Sequence, residues 1–342
     1  MSSQQTQIHL AARPEGLPRE TDFAVVSREI PVPAPGEVLV RSIYLSLDPA
    51  MRGWMDDRRS YLPPIALGEV MRGLAVGEVM RSEHPDFTPG QRVSALVGWQ
   101  EYAALPAKEL TQIPDGIPLP LALGPLGMTG MTAYFGLLDV AKPKAGETVL
   151  VSGAAGAVGS LVGQIARIHG CRVVGIAGSD TKCNWLRDDL GFDAAVNYKS
   201  FKDPKDLYDA LRQACPKGVD VYFDNVGGPL LDMALGMLNQ RARITICGAI
   251  SGYNATEPVP GPANYLSLLI NRAKMQGFIV FDYASRYGEA ASAISGWLEE
   301  GKIKARYDIV EGLENAPAAL LRLFSGENQG KLMVRVGSED PA

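Results

Sequence analysis

The segment TVLVSGAAGAVGSLVGQIARI, residues 148–168, restricts the fold more than any other part of the chain. Its first residues form a wholly apolar run, the pattern of a parallel strand buried on both faces. A glycine cluster follows. Then Val158, Leu161, Val162, Ile165 and Ile168 recur at helical spacing on one face. Strand, glycine turn and helix in this order form a phosphate-binding unit, because the helix N-terminus offers unpaired N–H groups and a partial positive charge. The fingerprint GxGxxG aligns with Ala154, Gly156 and Gly159, with an extra Gly153 in front, so its first glycine is alanine here. Gly156 lets the backbone approach a pyrophosphate, with Ala157 and Val158 opening the helix, and Gly159 lets helix and strand pack closely. The alternative is a glycine-rich structural turn that binds nothing.

The next strand, CRVVGIAG (171–178), reaches the place where an NAD site keeps an Asp or Glu for the ribose 2′-hydroxyl. That place holds Gly178. Gly178 and Ser179 leave room for a 2′-phosphate, and Lys182 can pair with one. Asp180 would repel a phosphate if it pointed inward; facing solvent or capping the next helix, it would not. Lys182 also reads as a solvated lysine at a helix start. The sum favours NADP(H) over NAD(H).

Up to about residue 125 the chain is rich in Gly, Pro and short apolar runs. Residues 37–47, 74–80 and 91–105 are strand candidates separated by turn signals. The pentapeptide GEVMR occurs at Gly68 and again at Gly77, which reads as two neighbouring strands with chance similarity. From Thr129 the texture changes to a helix (129–141) and a turn (142–147). Strand candidates then follow at 148–153, 171–178, 193–198, 219–227, 242–250 and 274–281, with helical segments between. That alternation implies a doubly wound parallel sheet, an α/β fold beside a mostly-β domain. The tail, 313–336, is a short helix, a turn and a last strand, which pattern alone assigns to neither domain.

Net charge is −5 with no long basic run, against a nucleic-acid partner. No apolar run is long enough for a membrane span, and the N-terminus lacks the pattern of a secretory signal. The four cysteines, Cys171, Cys183, Cys215 and Cys247, form no CxxC pair and read as reduced thiols of a cytoplasmic protein.

The stretches LSLDPAMRGWM (45–55), GMTGMTAYFGL (127–137), GAAGAVGSLVGQIA (153–166), GSDTK (178–182), NYK (197–199), DNVGG (224–228), ICGAISGYN (246–254), MQGFIV (275–280) and ENQGKLMVRV (327–336) run in order along nearly the whole chain. They resemble the zinc-independent medium-chain dehydrogenase/reductase superfamily, in its branch of prostaglandin reductase (leukotriene 12-hydroxydehydrogenase), plant double-bond reductase and bacterial curcumin reductase. The resemblance implies a GroES-like catalytic domain of residues 1–125 completed by 311–342, a Rossmann NADP-binding domain of residues 126–310, an active site in the cleft and a homodimer. Cofactor contacts then fall on Met128, Thr129, Gly156, Ala157, Val158, Gly178, Lys182, Tyr198 and Asn225. They continue through Cys247, Gly248, Ala249, Ile250, Ser251 and Tyr253 to Phe278, Ile279, Val280 and Asn328. Taken alone, Tyr198 reads as an ordinary strand-end tyrosine and Cys247 as a small packing residue.

Alcohol dehydrogenases of this superfamily build a zinc site from a Cys, a His-Glu pair and a later Cys or His. The matching region here, LGEVMRGLAVGEV, has no histidine; the histidines are His9, His84 and His169, and no cysteine precedes residue 171. No metal is expected, and His169 reads as a partly buried structural side chain.

Without zinc, the reaction implied is NADPH-dependent reduction of the C=C bond of α,β-unsaturated aldehydes and ketones. Hydride adds at the β-carbon, a hydrogen-bond donor stabilises the enolate oxygen, and a proton is delivered to the α-carbon. Tyr253 is the first candidate donor and Tyr61 the second; Tyr253 equally reads as a cover for the cofactor and Tyr61 as a surface aromatic. Quinone reduction and cofactor binding without turnover are the other readings. Two departures bear on substrate identity. Ala50 replaces a tyrosine found in many relatives, and Ile270 stands where some mammalian relatives carry one, with Tyr265 nearby. Arg52 reads as a structural ion pair before a substrate anchor.

Overall fold

A computed structural model describes residues 3–340. The chain divides into two compact units. One holds the residues up to 123, then 307–328 and those from 332 on; the other holds 124–306 and 329–331.

The first unit begins with an antiparallel pair, β1 (Gln4–Leu10) and β2 (Phe23–Glu29). Next come β3 (Glu37–Ser46), a short helix α1 (Met51–Trp54), β4 (Ala75–Ser82), β5 (Arg92–Ala95), β6 (Tyr102–Pro106), β7 (Thr111–Gln112) and α2 (Leu119–Leu123). β3 pairs antiparallel with both β4 and β6. The candidate strand 91–105 is therefore two strands, broken near Gly98, whose φ of +85° no strand residue adopts.

The repeated GEVMR is not a pair of strands. The second copy lies in β4, where a Cβ on Gly77 would come 2.1 Å from the Arg41 carbonyl oxygen of β3, so the glycine permits close strand approach. The first copy is a turn and an extended stretch outside any strand, and Gly68 has φ +81° with open space around it. The same five residues serve a turn once and a tight ladder once, because tertiary context overrides local propensity.

In the second unit, α3 (Met128–Phe135) passes into a π-helical turn over Gly136–Ala141, so the predicted helix changes its hydrogen-bond pattern midway. Strands β8 (Thr148–Val151), β9 (Arg172–Ala177), β10 (Ala194–Asn197), β11 (Val219–Asp224), β12 (Leu238–Ile246) and β13 (Lys274–Gly277) alternate with helices. The helices are α4 (Ala157–Ile168), α5 (Asp180–Asn184), α6 (Pro204–Ala214), α7 (Gly228–Leu235), α8 (Leu266–Asn271) and α9 (Tyr287–Glu299). The strands form one parallel sheet in the order β10-β9-β8-β11-β12-β13. Side chains alternate between two cores: Val149 and Val151 pack with Leu161, Val162 and Ile165 of α4, while Leu150 packs with Leu207 and Leu211 of α6. This is the doubly wound arrangement expected from the apolar strand pattern. β13 stops at Gly277, earlier than the predicted run to Phe281, and a 3₁₀ turn occupies Val280–Arg286.

The tail contributes β14 (Tyr307–Glu311), α10 (Ala316–Ser325) and β15 (Lys331–Arg335). β15 pairs antiparallel with β3, so the last strand joins the first unit's sheet. Just before it, Gly330 belongs with the second unit. Its N–H donates to the Ala155 carbonyl at 3.2 Å, it bridges Gly156 in parallel, and its φ is +73°. A Cβ there would lie 2.2 Å from the Arg306 carbonyl oxygen.

Candidate functional site

The glycine turn ends at Gly156, which is the N-cap of α4 with an extended backbone and no side-chain cap. The N–H groups of the first helical turn are thus left to an external acceptor. A Cβ on Gly159 would sit 2.4 Å from the Gly153 carbonyl oxygen, so this position must stay glycine for helix and turn to meet. Ala154, at the fingerprint's first position, is fully buried and its N–H donates to the Ile176 carbonyl at 3.0 Å. Its methyl group would lie 2.9 Å from a Cβ placed on Gly175 of β9. The glycine lost from the loop reappears on the neighbouring strand.

Beneath the turn, β8 and β11 separate the two directions in which the strand order runs. Ligands of open α/β sheets bind at the C-terminal ends of such a pair. Ser152 follows β8 and Asp224 ends β11; the Ser152 hydroxyl donates to Asp224 Oδ1 at 2.8 Å. The same oxygen accepts from the Tyr222 hydroxyl and from the N–H groups of Val226 and Gly227. Burial, then the charge of Asp224, push the Tyr222 hydroxyl well up from its ordinary value. The backbone of Asp224 also anchors the loop after β12, its carbonyl accepting from Cys247 and Gly248. Asn225 donates from its side chain to the Ser152 carbonyl at 2.7 Å. Ser251 donates through both N–H and hydroxyl to the Val226 carbonyl. These bonds bring Asn225 and the Cys247–Tyr253 stretch together at one end of the sheet. Within that stretch, the Tyr253 hydroxyl accepts from the Ala249 N–H at 3.2 Å, and Ile250 begins a 3₁₀ turn.

At the end of β9, the Ser179 hydroxyl caps α5 by accepting from the Lys182 N–H at 3.3 Å. Asp180 is exposed and accepts from the Asn197 side chain at 2.9 Å, so it faces solvent rather than capping the helix. A Cβ on Gly178 would come 3.2 Å from the Tyr198 ring and 3.4 Å from Lys199 Cε. The Lys199 ammonium lies 6.0 Å from the Tyr198 ring centroid. Lys199, which adjoins Tyr198 in the NYK stretch, carries no signal of its own in the sequence, yet it lies beside Gly178.

The remaining second-unit positions gather around α3. Thr129 is buried and its hydroxyl donates to the Gly124 carbonyl at 2.9 Å. Phe278 lies over Gly136, where a Cβ would meet its ring at 2.5 Å. The Tyr287 hydroxyl reaches both the Val280 carbonyl at 3.0 Å and Met128 Sδ at 3.7 Å. Tyr287 carried no motif signal.

In the first unit, Tyr61 is exposed and its hydroxyl accepts from the Trp54 indole at 3.2 Å. Buried Arg52 pairs with Asp56 at 2.5 Å and donates to the carbonyls of Gly16 and Pro14, a structural ion pair. Asn328 is buried.

Among the described residues, no group of three or more His, Cys, Asp or Glu side chains could hold a metal ion. His169 is exposed at the end of α4, not partly buried as expected, and its Nδ1–H donates to the Ile165 carbonyl at 2.9 Å. Cys247 is pushed up to about 12 by burial and then by the Asp224 charge, so its thiol stays protonated at neutral pH.

Two family profiles match the chain: the N-terminal domain of oxidoreductase over residues 6–113, and zinc-binding dehydrogenase over residues 157–296. The protein YfmJ of Bacillus subtilis (strain 168) is 49% identical over 100% of both chains. The NADPH-dependent curcumin reductase of Escherichia coli (strain K12) is 44% identical over 97% of this chain and 96% of its own. The crystal structure of CurA in complex with NADPH from Vibrio vulnificus has a TM-score of 0.92 at 47% identity, covering 97% of this chain and 99% of that one.

Proposed function

The chain belongs to the zinc-independent branch of the medium-chain dehydrogenases/reductases, which also holds prostaglandin reductase 1 and 2-alkenal reductase, and we propose that it reduces the C=C bond of α,β-unsaturated aldehydes and ketones with NADPH. It is an NADP-dependent oxidoreductase. The observation that carries the cofactor reading is the end of β9, where Gly178 stands in place of an acid and is walled by Tyr198 and Lys199.

The residues present fit such a dinucleotide. The uncapped first turn of α4, from Ala157 and Val158, would take the pyrophosphate, with Gly156 allowing its approach. Lys182 and Tyr198 would hold the 2′-phosphate. Asn225, Cys247 to Ser251 and Tyr253 would line the middle of the site. Met128, Thr129, Phe278, Ile279, Val280 and Asn328 would face the nicotinamide end. When bound, NADPH supplies the hydride for the β-carbon. The protein's task is then to place a hydrogen-bond donor where charge collects on the carbonyl oxygen. Tyr253 is the first candidate, its hydroxyl accepting from the Ala249 N–H beside the other residues of this loop. Tyr61, whose hydroxyl accepts from the Trp54 indole, is the second candidate. We assign residues 1–125 with 311–342 as the catalytic domain and 126–310 as the NADP-binding domain.

A homodimer is part of the reading. β13 is the last strand of its sheet, and Leu266, Leu269, Ile270 and Met275 beside it are exposed. A row of open strand hydrogen bonds next to exposed apolar side chains invites pairing with a second copy. No helix among the described residues is long and apolar enough to cross a membrane, and we place the enzyme in the cytoplasm.

The test is a panel of enals, enones and quinones with NADPH and NADH, with products identified, followed by Tyr253→Phe on the best substrate. Saturated carbonyl products and an NADPH preference support the proposal. Turnover of quinones alone, or NADPH binding with no turnover, overturns it.

A further inference from the structure

We propose that Tyr287 is a positioning residue for the reactive end of the cofactor site, its hydroxyl fixing the backbone at Val280 against Met128 at the start of α3. This rests on the assignment of Met128 and Phe278–Val280 to the nicotinamide end. The parallel ladder between β12 and β13 ends with Ile246 opposite Gly277. Residues 278–280 therefore extend past the sheet, and the ladder does not set their peptide planes. Yet N–H and C=O groups are what such a segment offers a carboxamide, so their direction matters.

Tyr287 supplies the missing constraint. It is the first residue of α9, and its oxygen lies 3.0 Å from the Val280 carbonyl and 3.7 Å from Met128 Sδ. The hydroxyl has one proton; the carbonyl is the nearer and better acceptor, and the thioether packs against the same oxygen. Burial, then the charge of Asp282, raise the tyrosine above its ordinary value, which keeps it a donor. Its ring is held from behind. Phe135 lies 6.3 Å from Tyr287 and stacks on Tyr283 at 4.6 Å, and Phe278 meets Tyr283 edge-on. A rigid aromatic group thus aims one hydroxyl at the junction of two segments.

The experiment compares wild type, Tyr287→Phe and Tyr287→Leu. NADPH affinity and the emission of the bound nicotinamide are read by fluorescence titration. The kinetic parameters and the deuterium isotope effect with 4-deuterated NADPH are measured on the best enone. Tyr287→Phe is expected to keep NADPH affinity within about 3-fold, because most of the dinucleotide is held elsewhere. It should lower both the bound-state emission enhancement and kcat, the latter roughly tenfold, with a larger isotope effect and little change in KM. If Tyr287→Phe matches wild type while Tyr287→Leu loses affinity and thermal stability, the ring only packs and the proposal fails. Should wild type bind NADPH but reduce no enone, the function proposed above falls, while the emission comparison still decides Tyr287. If wild type binds no NADPH, both fall.

Discussion

Ser152 and Asp224 are joined by a 2.8 Å hydrogen bond across the two strand ends where the connectivity of the parallel sheet reverses. The carboxylate oxygen that accepts it also gathers three further donors, and Asp224 is fully buried. Asp224→Ala leaves those donors unmet, and a stability loss of about 3 kcal/mol or more is expected. Asp224→Asn keeps an acceptor in place and costs less. Urea unfolding measures the stabilities, and NADPH titration should rank the variants in the same order, since the carboxylate holds the Val226 and Gly227 N–H groups and Ser251 of the loop after β12 bonds to the Val226 carbonyl.

Gly178→Asp should reverse the cofactor preference. The new side chain would meet Tyr198 and Lys199 at about the contact distances of the virtual Cβ, 3.2 and 3.4 Å, and would place a negative charge against a 2′-phosphate. The expected outcome is a fall of about 100-fold in the NADPH/NADH ratio of kcat/KM. Lys182→Ala should raise the NADPH dissociation constant roughly 10- to 100-fold, the worth of a charged hydrogen bond, and leave NADH nearly unchanged.

Ile270→Glu and Met275→Lys place charges among the exposed apolar side chains beside β13. Sedimentation velocity should find dimers for wild type and monomers for the double variant, with unchanged far-ultraviolet circular dichroism. A wild type that sediments as a monomer removes the dimer from the proposed function.

Glu147 supplies a pH dependence with a defined sign. Burial alone would raise its carboxyl, but hydrogen bonds from Arg243 and the Lys144 N–H outweigh that and hold it below the usual 4.5. A carboxylate lowered on folding adds stability above its unfolded value and loses it as pH falls through the folded one. Glu147→Gln should therefore be destabilised by about 1–2 kcal/mol at pH 7. The gap to wild type should narrow below pH 4.5, as thermal melts over that range would show.

Cys247, held as a neutral thiol, should resist alkylation. At pH 7.5, iodoacetamide should react far more slowly than with a small thiol. Cys247→Ser should retain most activity, measured on the best enone.

The strand, glycine turn and helix around Gly156 could be read in the sequence because their determinants are local: an apolar strand, glycines at fixed spacing and an amphipathic helix. Relations between distant segments were not readable. Nothing in the loop signals that Ala154 fits because Gly175, a strand away, gives up its side chain. The two GEVMR copies look alike until β3 approaches one of them. Tyr287 stands in no motif, and its link to Met128 spans 159 positions. β13 looked longer than it is because its apolar run continues into a turn that satisfies the same hydropathy without a ladder.

The bridge from Gly330 to Gly156 has a consequence for how the molecule is made. All six parallel strands emerge from the ribosome before residue 330 does. A nascent chain can thus assemble that sheet while the turn at Gly156 still lacks its last backbone partner. Proteolytic clipping ahead of residue 329 would cut that partner's covalent tie in a mature molecule while leaving every strand of the parallel sheet uncut.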